Sequence, residues 1–268
     1  FIKWIKESVS KEDIYESDIG DKLIELRSID NNFLYPSFST IAAYNENAAM
    51  AHYHPEEGKC KKLEPKGFLL VDSGGQYYNG TTDITRTISL GQLTDQMKSD
   101  FTLVLKSMIS LSRLVFLYGS TGHSIDVIAR KPMWEHFIDY KHGTGHGIGH
   151  LLNVHEGPQS ISPKMINTVL KEGMLTSNEP GIYRENQYGI RTENTIVVKE
   201  ICKNDFGTFM GFDSVTPCPI DLDAINVEML TQDEKQWLND FHRTVYDSLS
   251  PRLDEEEKEF LKVATKEI

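Results

Sequence analysis

Apolar side chains recur at helical intervals in three segments of the chain. These segments cover residues 18–27, 93–116 and 124–137, and Ser124 is a candidate N-cap for the third. The pattern therefore predicts one helix near the start of the chain and two consecutive helices near its middle.

Two other segments carry the pattern of β-hairpins. Residues 67–90 contain two β-like runs on either side of Asn79-Gly80, a dipeptide that favours a tight turn. Residues 174–182 and 188–201 form a second pair of strands around Glu185-Asn186-Gln187. The order of hairpin, helices and hairpin indicates two similar halves.

The tail over residues 231–268 is charged and helical. We interpret residues 1–215 as the main domain and residues 216–268 as a helical extension. The extension has an apolar stripe, which could form a dimer contact or pack on the body of the protein. The stripe consists of Trp237, Leu238, Phe241 and Val245.

Composition excludes several classes of protein. With 268 residues, 39% of them hydrophobic, the chain can bury a sizeable core. The formal charge of −12 and the scattered Lys and Arg residues argue against nucleic acid as a partner. The sequence contains no run of 18 or more apolar residues, so no membrane span is predicted. Three cysteines without metal-site spacing fit a reducing compartment, so we expect a cytoplasmic protein.

Two aspartates lie within β-like sequence in the first hairpin. Asp72 follows an apolar run, and Asp83 lies in a segment rich in threonine. Either residue alone is more simply explained as a turn or surface aspartate, but buried carboxylates need partners. A tight Asn79-Gly80 turn would offset them by four residues, roughly 13 Å. A shared site therefore requires a wider turn or a bulge, for which Gly74-Gly75 is the obvious place.

A segment rich in glycine and histidine follows the predicted helices. His142, His146 and His150 recur every four residues, as on a helix, but glycine at each alternate position would be costly there. No Glu follows His142 as in the HExxH zinc-protease pattern. We predict an extended segment beside a crowded site, with a flexible loop of solvated histidines as the alternative. His155 is a fourth imidazole nearby.

Two glutamates lie in the second predicted hairpin. Glu179 and Glu193 are fourteen residues apart, so a loop centred on Asn186 would place them directly opposite each other. Their Cβ atoms would then be about 5 Å apart. The two charges repel unless a cation lies between them, one acid is protonated or Arg191 forms a salt bridge.

Together the clusters contain two Asp, two Glu and one His, an oxygen-rich set suited to Mn²⁺, Co²⁺, Fe²⁺ or Zn²⁺. Four carboxylates would overload one divalent ion. Two ions roughly 3.5 to 4 Å apart would balance the charge, and a water bridging them would become a hydroxide nucleophile near neutral pH. The ligand set therefore predicts a hydrolase.

These clusters, in this order, resemble the pita-bread metallopeptidase family of aminopeptidase P, prolidase and methionine aminopeptidase. Residues 36–41, 51–53 and 237–238 look like the eukaryotic cytosolic aminopeptidase P subgroup. The resemblance implies an α+β fold, in which helices cover a curved antiparallel sheet in two pseudo-symmetric halves. It also implies that residues 1–215 are the catalytic domain. Because that subgroup carries two further domains ahead of it and the chain starts at Phe1, we expect a C-terminal catalytic fragment.

The resemblance implies a ligand set for two divalent metal ions, with Mn²⁺ the expected metal. Asp72 would chelate one ion, and His146 and Glu179 would bind the other. Asp83 and Glu193 would bridge both ions. On this pattern none of the five metal ligands of the family is missing.

The resemblance also implies which residues act on substrate. Glu179 would handle the proton of the bridging hydroxide, and His52 and His155 would assist at the scissile bond. The residues expected to bind substrate are His52, His142, His155, Tyr183 and Arg191. The histidines expected to be surface or packing residues are His54, His123, His136, His150 and His242.

The expected activity is release of the N-terminal residue from peptides with proline in second position. Xaa-Pro dipeptidase activity, as in prolidase, is the alternative within enzymes, and methionine aminopeptidase fits the tail less well. A non-catalytic pita-bread module that binds other proteins is the alternative outside enzymes. Retention of all five ligands argues against it. The expected partners are Xaa-Pro peptides, without nucleic acid or membrane, and a second copy of the chain remains an open expectation.

Overall fold

Helices and antiparallel strands alternate along residues 1–50, 53–56 and 58–268, which the computed structural model describes. The helices are α1 Ile2–Ser8, α2 Glu16–Arg27, α3 Asp95–Ser112, α4 Gly122–Trp134, α5 Gln232–Leu249 and α6 Glu255–Ala264. The strands are β1 Phe33–Pro36, β2 Ile41–Tyr44, β3 Phe68–Ser73, β4 Gly75–Tyr77, β5 Gly80–Thr81, β6 Ile84–Ser89, β7 Phe116–Leu117, β8 Gly145–His146, β9 Ser160–Ile161, β10 Leu175–Asn178, β11 Gly181–Arg184, β12 Tyr188–Arg191, β13 Asn194–Asn204 and β14 Gly207–Ser214. The mixture of helices and antiparallel sheets confirms the α+β prediction.

The strands form five sheets in the described part of the chain. Three of these sheets have three or four strands, in the orders β2-β3-β6, β1-β4-β5 and β10-β13-β14-β7. The other two are the pairs β11-β12 and β8-β9. Strands β3, β6, β10 and β13 carry or border the predicted acidic ligands. The site therefore lies where the β2-β3-β6 sheet meets the β10-β13-β14-β7 sheet.

The three predicted helical segments are confirmed as α2, α3 and α4, but the predicted N-cap of α4 is wrong. Thr121 is the N-cap, and its Oγ1 accepts a hydrogen bond from the backbone N–H of Ser124. The Ser124 hydroxyl in turn accepts from the backbone N–H of Thr121 at 3.1 Å. This reciprocal capping box starts the helix at Gly122, two residues before the predicted start.

The first hairpin turns one residue earlier than predicted. Tyr77 pairs with Gly80, so the turn is Tyr78-Asn79, and Gly80 belongs to β5. Asp72 pairs with Thr85, which offsets it from Asp83 by two residues instead of four. Because side chains alternate along a strand, a two-residue offset leaves both aspartates on one face as diagonal neighbours. A wider turn is not needed, but the ladder is interrupted at Gly74 and at residues 82–83, beside the predicted Gly74-Gly75 position.

The second hairpin has the predicted register. Arg184 pairs with Tyr188, which leaves a three-residue loop centred on Asn186. The same register continues through Asn178 and Asn194, so Glu179 and Glu193 lie opposite each other between the two paired segments. Asn186 has φ of 58°, a left-handed conformation that asparagine tolerates better than most residues.

The segment rich in glycine and histidine is extended, as predicted. Gly145 and His146 form β8 and pair with β9. A Cβ atom on Gly145 would lie 1.9 Å from the carbonyl oxygen of Ser177, so only glycine fits between this segment and β10. Close backbone approach therefore holds His146 beside the strand that leads to Glu179.

The C-terminal helices pack on the body of the protein. Leu238, Phe241 and Val245 of α5 are buried in the same apolar cluster as Phe101 and Leu105 of α3, and Trp237 packs against that cluster. The apolar stripe of the tail thus packs on the body of the protein, which is one of the two interpretations given above. Within the described residues, no helix combines the length and apolar character needed to span a bilayer.

Candidate metal and peptide site

A cavity of about 540 Å³ lies between the two hairpins and the extended histidine segment. Among the described residues, one predicted site residue, Tyr183, is not part of its lining. Tyr183 lies behind the wall, in contact with two residues that do line it. His52 lies outside the described residues. The predicted site residues that the structure brings together here are Asp72, Asp83, His142, His146, His155, Glu179, Arg191 and Glu193.

The centre of the cavity contains three groups with the spacing of metal ligands. One ligand atom from each of Asp83, His146 and Glu193 lies within 4.8 Å of the other two. Nδ1 of His146 faces the carbonyl oxygen of Gly147 at 3.0 Å and donates its proton there. Nε2 therefore faces carboxylate oxygens of Asp83, 3.4 Å away, and Glu179, 3.3 Å away. Such an arrangement is stable only with a proton or a cation between the groups.

The electrostatics of the acids also favour a bound cation. Burial, together with repulsion from Glu193, raises the pKa of Asp83 well above its usual value. Burial and the charge of Glu179 raise the pKa of Glu193 to about 8. Burial would lower the pKa of His146, but the contact with Glu179 raises it to about 9. Crowded negative charge contributes to each shift, and divalent ions would neutralise that charge.

Asp72 lies at the edge of this group and is held by the second hairpin. One carboxylate oxygen accepts a hydrogen bond from Nη2 of Arg191 at 2.6 Å. The other oxygen, Oδ1, is buried and has no hydrogen-bond partner among the residues that the structure describes. Burial raises the pKa of Asp72, although Arg191 opposes the shift. A buried oxygen without a donor fits a metal ligand, because a cation would satisfy it.

Glu179 is positioned by the strand and by the histidine segment. Its backbone N–H donates to the carbonyl of Thr144 at 2.8 Å, and its side chain accepts from the hydroxyl of Ser177 at 3.0 Å. Ser177 also accepts from the backbone N–H of His146. Burial would raise the pKa of Glu179, but the contacts with His146 lower it to about 2. Ser177 thus connects two predicted ligands.

A directed chain of hydrogen bonds runs along one wall of the cavity. Nδ1 of His142 donates to the carbonyl of Gly143 at 2.7 Å, which leaves Nε2 as an acceptor. The hydroxyl of Tyr183 accepts from Nη1 of Arg191 at 2.8 Å and donates to His142 Nε2 at 2.9 Å. Burial lowers the pKa of His142, in agreement with a neutral ring. Arg191 then reaches Asp72, so the wall is continuous from His142 to the metal ligands.

His155 contributes a second imidazole surface near the ligands. Its ring lies 4.0 Å from that of His146, centroid to centroid, and the side chain is exposed to the cavity. His54, expected to be a surface or packing residue, is exposed and also lines the cavity. His242 is buried, whereas His136 and His150 are exposed, as expected of packing and surface histidines.

Several residues of the site were missed from the sequence. The hydroxyl of Thr85 donates to Glu193 at 2.7 Å and accepts from Nε of Arg191 at 3.2 Å. Ser177 and Thr85 each lie two residues from a predicted ligand, which places them on the same face of a strand. That alternation was a usable signal. Arg86 lies on the opposite face and gave no such signal.

Comparison with known proteins agrees with this geometry. Residues 1–200 match metallopeptidase family M24, and residues 208–268 match the C-terminal region of peptidase M24. Aminopeptidase P2 of Arabidopsis thaliana is 43% identical over 259 residues, which cover 95% of this chain and 36% of that protein. Aminopeptidase P1 of Lotus japonicus is 41% identical over 271 residues, or 97% of this chain and 41% of that protein. The chain thus spans about two fifths of the length of these relatives.

Solved structures show the same fold. The X-prolyl aminopeptidase of Caenorhabditis elegans, described as a cytosolic enzyme with a di-nuclear active site, superposes with a TM-score of 0.93 at 35% identity. The match covers 99% of this chain and 44% of that one. Prolidase of Pyrococcus horikoshii OT3 gives a TM-score of 0.69 at 30% identity, over 82% of this chain and 59% of that one. These likenesses confirm the pita-bread fold, and the chain belongs to metallopeptidase family M24.

Proposed function

We propose that this protein is a metal-dependent hydrolase that releases the N-terminal residue from peptides with proline in second position. The observation that carries the proposal is the close group formed by Asp83, His146 and Glu193. Asp72 and Glu179 line the same cavity. The similarity to aminopeptidases P1 and P2 supports the choice of Xaa-Pro peptides as substrates.

The residues present fit two divalent ions, and we propose Mn²⁺. Asp72 would hold one ion, His146 and Glu179 the other, and Asp83 and Glu193 both. The unpartnered oxygen of Asp72 and the lone pair of His146 support this assignment. When bound, the ions would supply Lewis acidity and lower the pKa of a water molecule.

The chain's own residues would then bind the peptide and move protons. Glu179 would take the proton of the attacking water at the carboxylate oxygen that Ser177 does not occupy. His155 and His52 would assist at the scissile bond. The proline ring would pack beside His142, because Tyr183 and Arg191 hold that imidazole in one orientation. A neutral, fixed ring presents an apolar surface that suits a pyrrolidine.

A hydrolysis assay tests this proposal. The purified chain with Mn²⁺ should cleave an Xaa-Pro-Xaa tripeptide, and Glu179→Ala should abolish cleavage. Glu200→Ala is the matched control, because Glu200 is an exposed glutamate on β13 outside the cavity. Activity retained in Glu179→Ala would contradict the proposed mechanism. Metal analysis of the same samples should give two divalent ions for each chain.

The same assay separates the alternative functions. Cleavage of Xaa-Pro dipeptides alone, without tripeptides, would favour a dipeptidase. A chain that takes up no divalent ion at any concentration tested would favour a module that binds other proteins. The likeness to a prolidase structure is the observation that keeps dipeptides in the substrate panel.

Location, assembly and domain division are part of the proposal. We propose a cytoplasmic location, supported by the C. elegans neighbour being described as cytosolic. We also propose that residues 1–215 form the catalytic domain and residues 216–268 its helical extension. Sedimentation analysis of the purified chain would test the proposed homodimer.

A further inference from the structure

Arg86 is a buried cation directly behind the candidate metal site. Its side chain is 5% exposed, and it projects from β6 toward the segment that precedes the C-terminal helices. All five of its N–H groups donate to oxygen atoms. The acceptors are the carbonyls of Thr85 at 3.0 Å, Glu193 at 2.5 Å, Cys218 at 2.7 Å and Pro219 at 3.0 Å, and Oδ1 of Asn194 at 2.7 Å.

The direct contacts of the Arg86 guanidinium are all with neutral oxygen acceptors. Among the described residues, no carboxylate lies within ion-pairing distance of its guanidinium, although buried arginines usually have such a partner. Two of its acceptors belong to Glu193 and Asn194, at the point where β13 begins. The guanidinium therefore fixes the backbone of a predicted metal ligand, and its positive charge offsets part of the surrounding negative charge.

Helix α5 holds the segment that supplies two of the acceptors of Arg86. The backbone N–H of Ile220 donates to Nε2 of His242 at 3.0 Å, and the His242 side chain is fully buried. Since Nε2 accepts this bond, the ring is neutral. Burial and the positive charge of Arg86 lower the pKa of His242 to about 4, which keeps the ring neutral at ordinary pH. The carbonyls of Cys218 and Pro219 precede Ile220 directly, so His242 fixes the acceptors that Arg86 uses.

We propose that Arg86 and His242 are positioning residues that couple the C-terminal helices to Glu193 and thereby set the affinity of the site for divalent ions. The connection runs from His242 through residues 218–220 to Arg86, and from Arg86 to the backbone of Glu193. The inference rests on the proposed two-metal function. It gives residues 216–268 a part in the chemistry of the site, in addition to closing the core.

The chain offers variants that separate coupling from simple stability. Arg86→Lys keeps the charge but provides three donors in place of five, so some acceptors lose their partner. His242→Leu removes the acceptor of the Ile220 N–H, whereas His242→Gln can restore one. Lys106→Met is the matched control. Lys106 tethers the start of α5 to α3 through the Met229 carbonyl and Glu234, outside this connection.

The experiment measures the dissociation constant of Mn²⁺ by equilibrium dialysis without substrate, together with the Tm of each metal-free variant. Arg86→Lys should bind Mn²⁺ about 10- to 100-fold more weakly, the usual effect of losing a residue that orients a metal ligand. His242→Leu should lie near the lower end of that range, at about tenfold. His242→Gln should recover wild-type affinity, and Lys106→Met should lower the Tm without changing the affinity.

Three results would overturn the inference, and they have different meanings. If the wild-type chain binds Mn²⁺ and His242→Leu and Arg86→Lys bind it equally well while their Tm falls, both residues are merely structural. The proposed function then stands. If the wild-type chain binds no Mn²⁺, the proposed function fails and the coupling fails with it. Equal loss of affinity in Lys106→Met and His242→Leu would also contradict a specific connection.

Discussion

The two hairpins that supply the acidic residues reach the same arrangement by different registers. In the second hairpin, a three-residue loop centred on Asn186 places Glu179 and Glu193 directly opposite each other. In the first, the two-residue turn at Tyr78-Asn79 leaves Asp72 and Asp83 as diagonal neighbours. Opposite and diagonal pairs both lie on one face of a sheet. One site can therefore accept four carboxylates from two unlike hairpins.

The hairpins also differ in how their acids are held, and each depends on the other. Asp72 of the first hairpin accepts from Arg191 of the second, and Glu193 of the second accepts from Thr85 of the first. The backbone N–H of Glu193 donates to the carbonyl of Thr85 at 3.1 Å, which fixes the distance between the two strands. The site is thus complete only when both hairpins are docked.

The strongest test of this comparison is to remove one acid of the diagonal pair. Asp83 lies in the close group with His146 and Glu193, whereas Asp72 is held by Arg191 at the edge. A bound ion contributes several kcal/mol of transition-state stabilisation. We expect Asp83→Asn to lower kcat/KM by about 1,000-fold, or about 4 kcal/mol. Peptide hydrolysis and metal content should be measured together, and full metal content with full activity would contradict the arrangement.

A pH titration tests the contacts of Arg86, which lies on the first hairpin and donates to the backbone of Glu193 in the second. His242, which holds the acceptors of Arg86, has a pKa lowered to about 4 in the folded chain. Between pH 6.5 and 4 the unfolded chain binds a proton at this position and the folded chain does not, so stability falls as the pH falls. The full effect is about 3 kcal/mol.

The measurement is urea unfolding of the metal-free protein at pH 7 and pH 4.5. His242→Gln has no titrating ring and should lose less stability between these two pH values than the wild type. The comparison uses the difference between the two proteins, because other groups titrate equally in both. Identical losses would show that His242 is not held neutral in the folded chain.

Replacing Arg191 tests whether the second hairpin holds the first. Arg191→Lys keeps a positive charge but cannot reach Asp72, Tyr183 and Thr85 at the same time. We expect kcat/KM to fall by about 10- to 100-fold. Arg184→Lys is a control from the same hairpin, because Arg184 pairs with buried Asp100 away from the cavity. A larger loss in the control would place the effect in hairpin docking, not in the contact with Asp72.

The two hairpins also differ in how well the sequence predicts their register. The register of the glutamates was predictable because one loop of odd length sets a common register for β11-β12 and β10-β13, although the pairing is interrupted at residues 179–180 and 192–193. The turn of the first hairpin was not, because a tertiary contact overrides the preference of Asn79-Gly80. The backbone at Gly74 lies against the carbonyl of Thr82, which also accepts from Ser37 Oγ at 2.9 Å. That close approach is compatible with the observed register.

The roles of distant residues were beyond the sequence for a different reason. The family resemblance implied the ligand series, and glycine placement predicted the close approach at Gly145, because both rest on local signals along the chain. The partners of Arg86 include Cys218 and Pro219, more than 130 residues away along the chain. No period or motif in one sequence marks such a pairing. Only the folded chain shows that the tail reaches the back of the site.

The smallest expected effect is a difference in stability between substitutions in the turns of the two hairpins. Asn186 is exposed with φ of 58°, whereas Asn79 is exposed without a positive φ. A left-handed residue other than glycine or asparagine costs about 1 kcal/mol, so Asn186→Ala should destabilise the fold by about that amount. Asn186→Gly should be nearly neutral, and Asn79→Ala should change stability by less than about 0.5 kcal/mol. Urea unfolding measures all three. If Asn79→Ala costs as much as Asn186→Ala, the first turn also relies on a special backbone conformation, and the contrast between the hairpins is wrong.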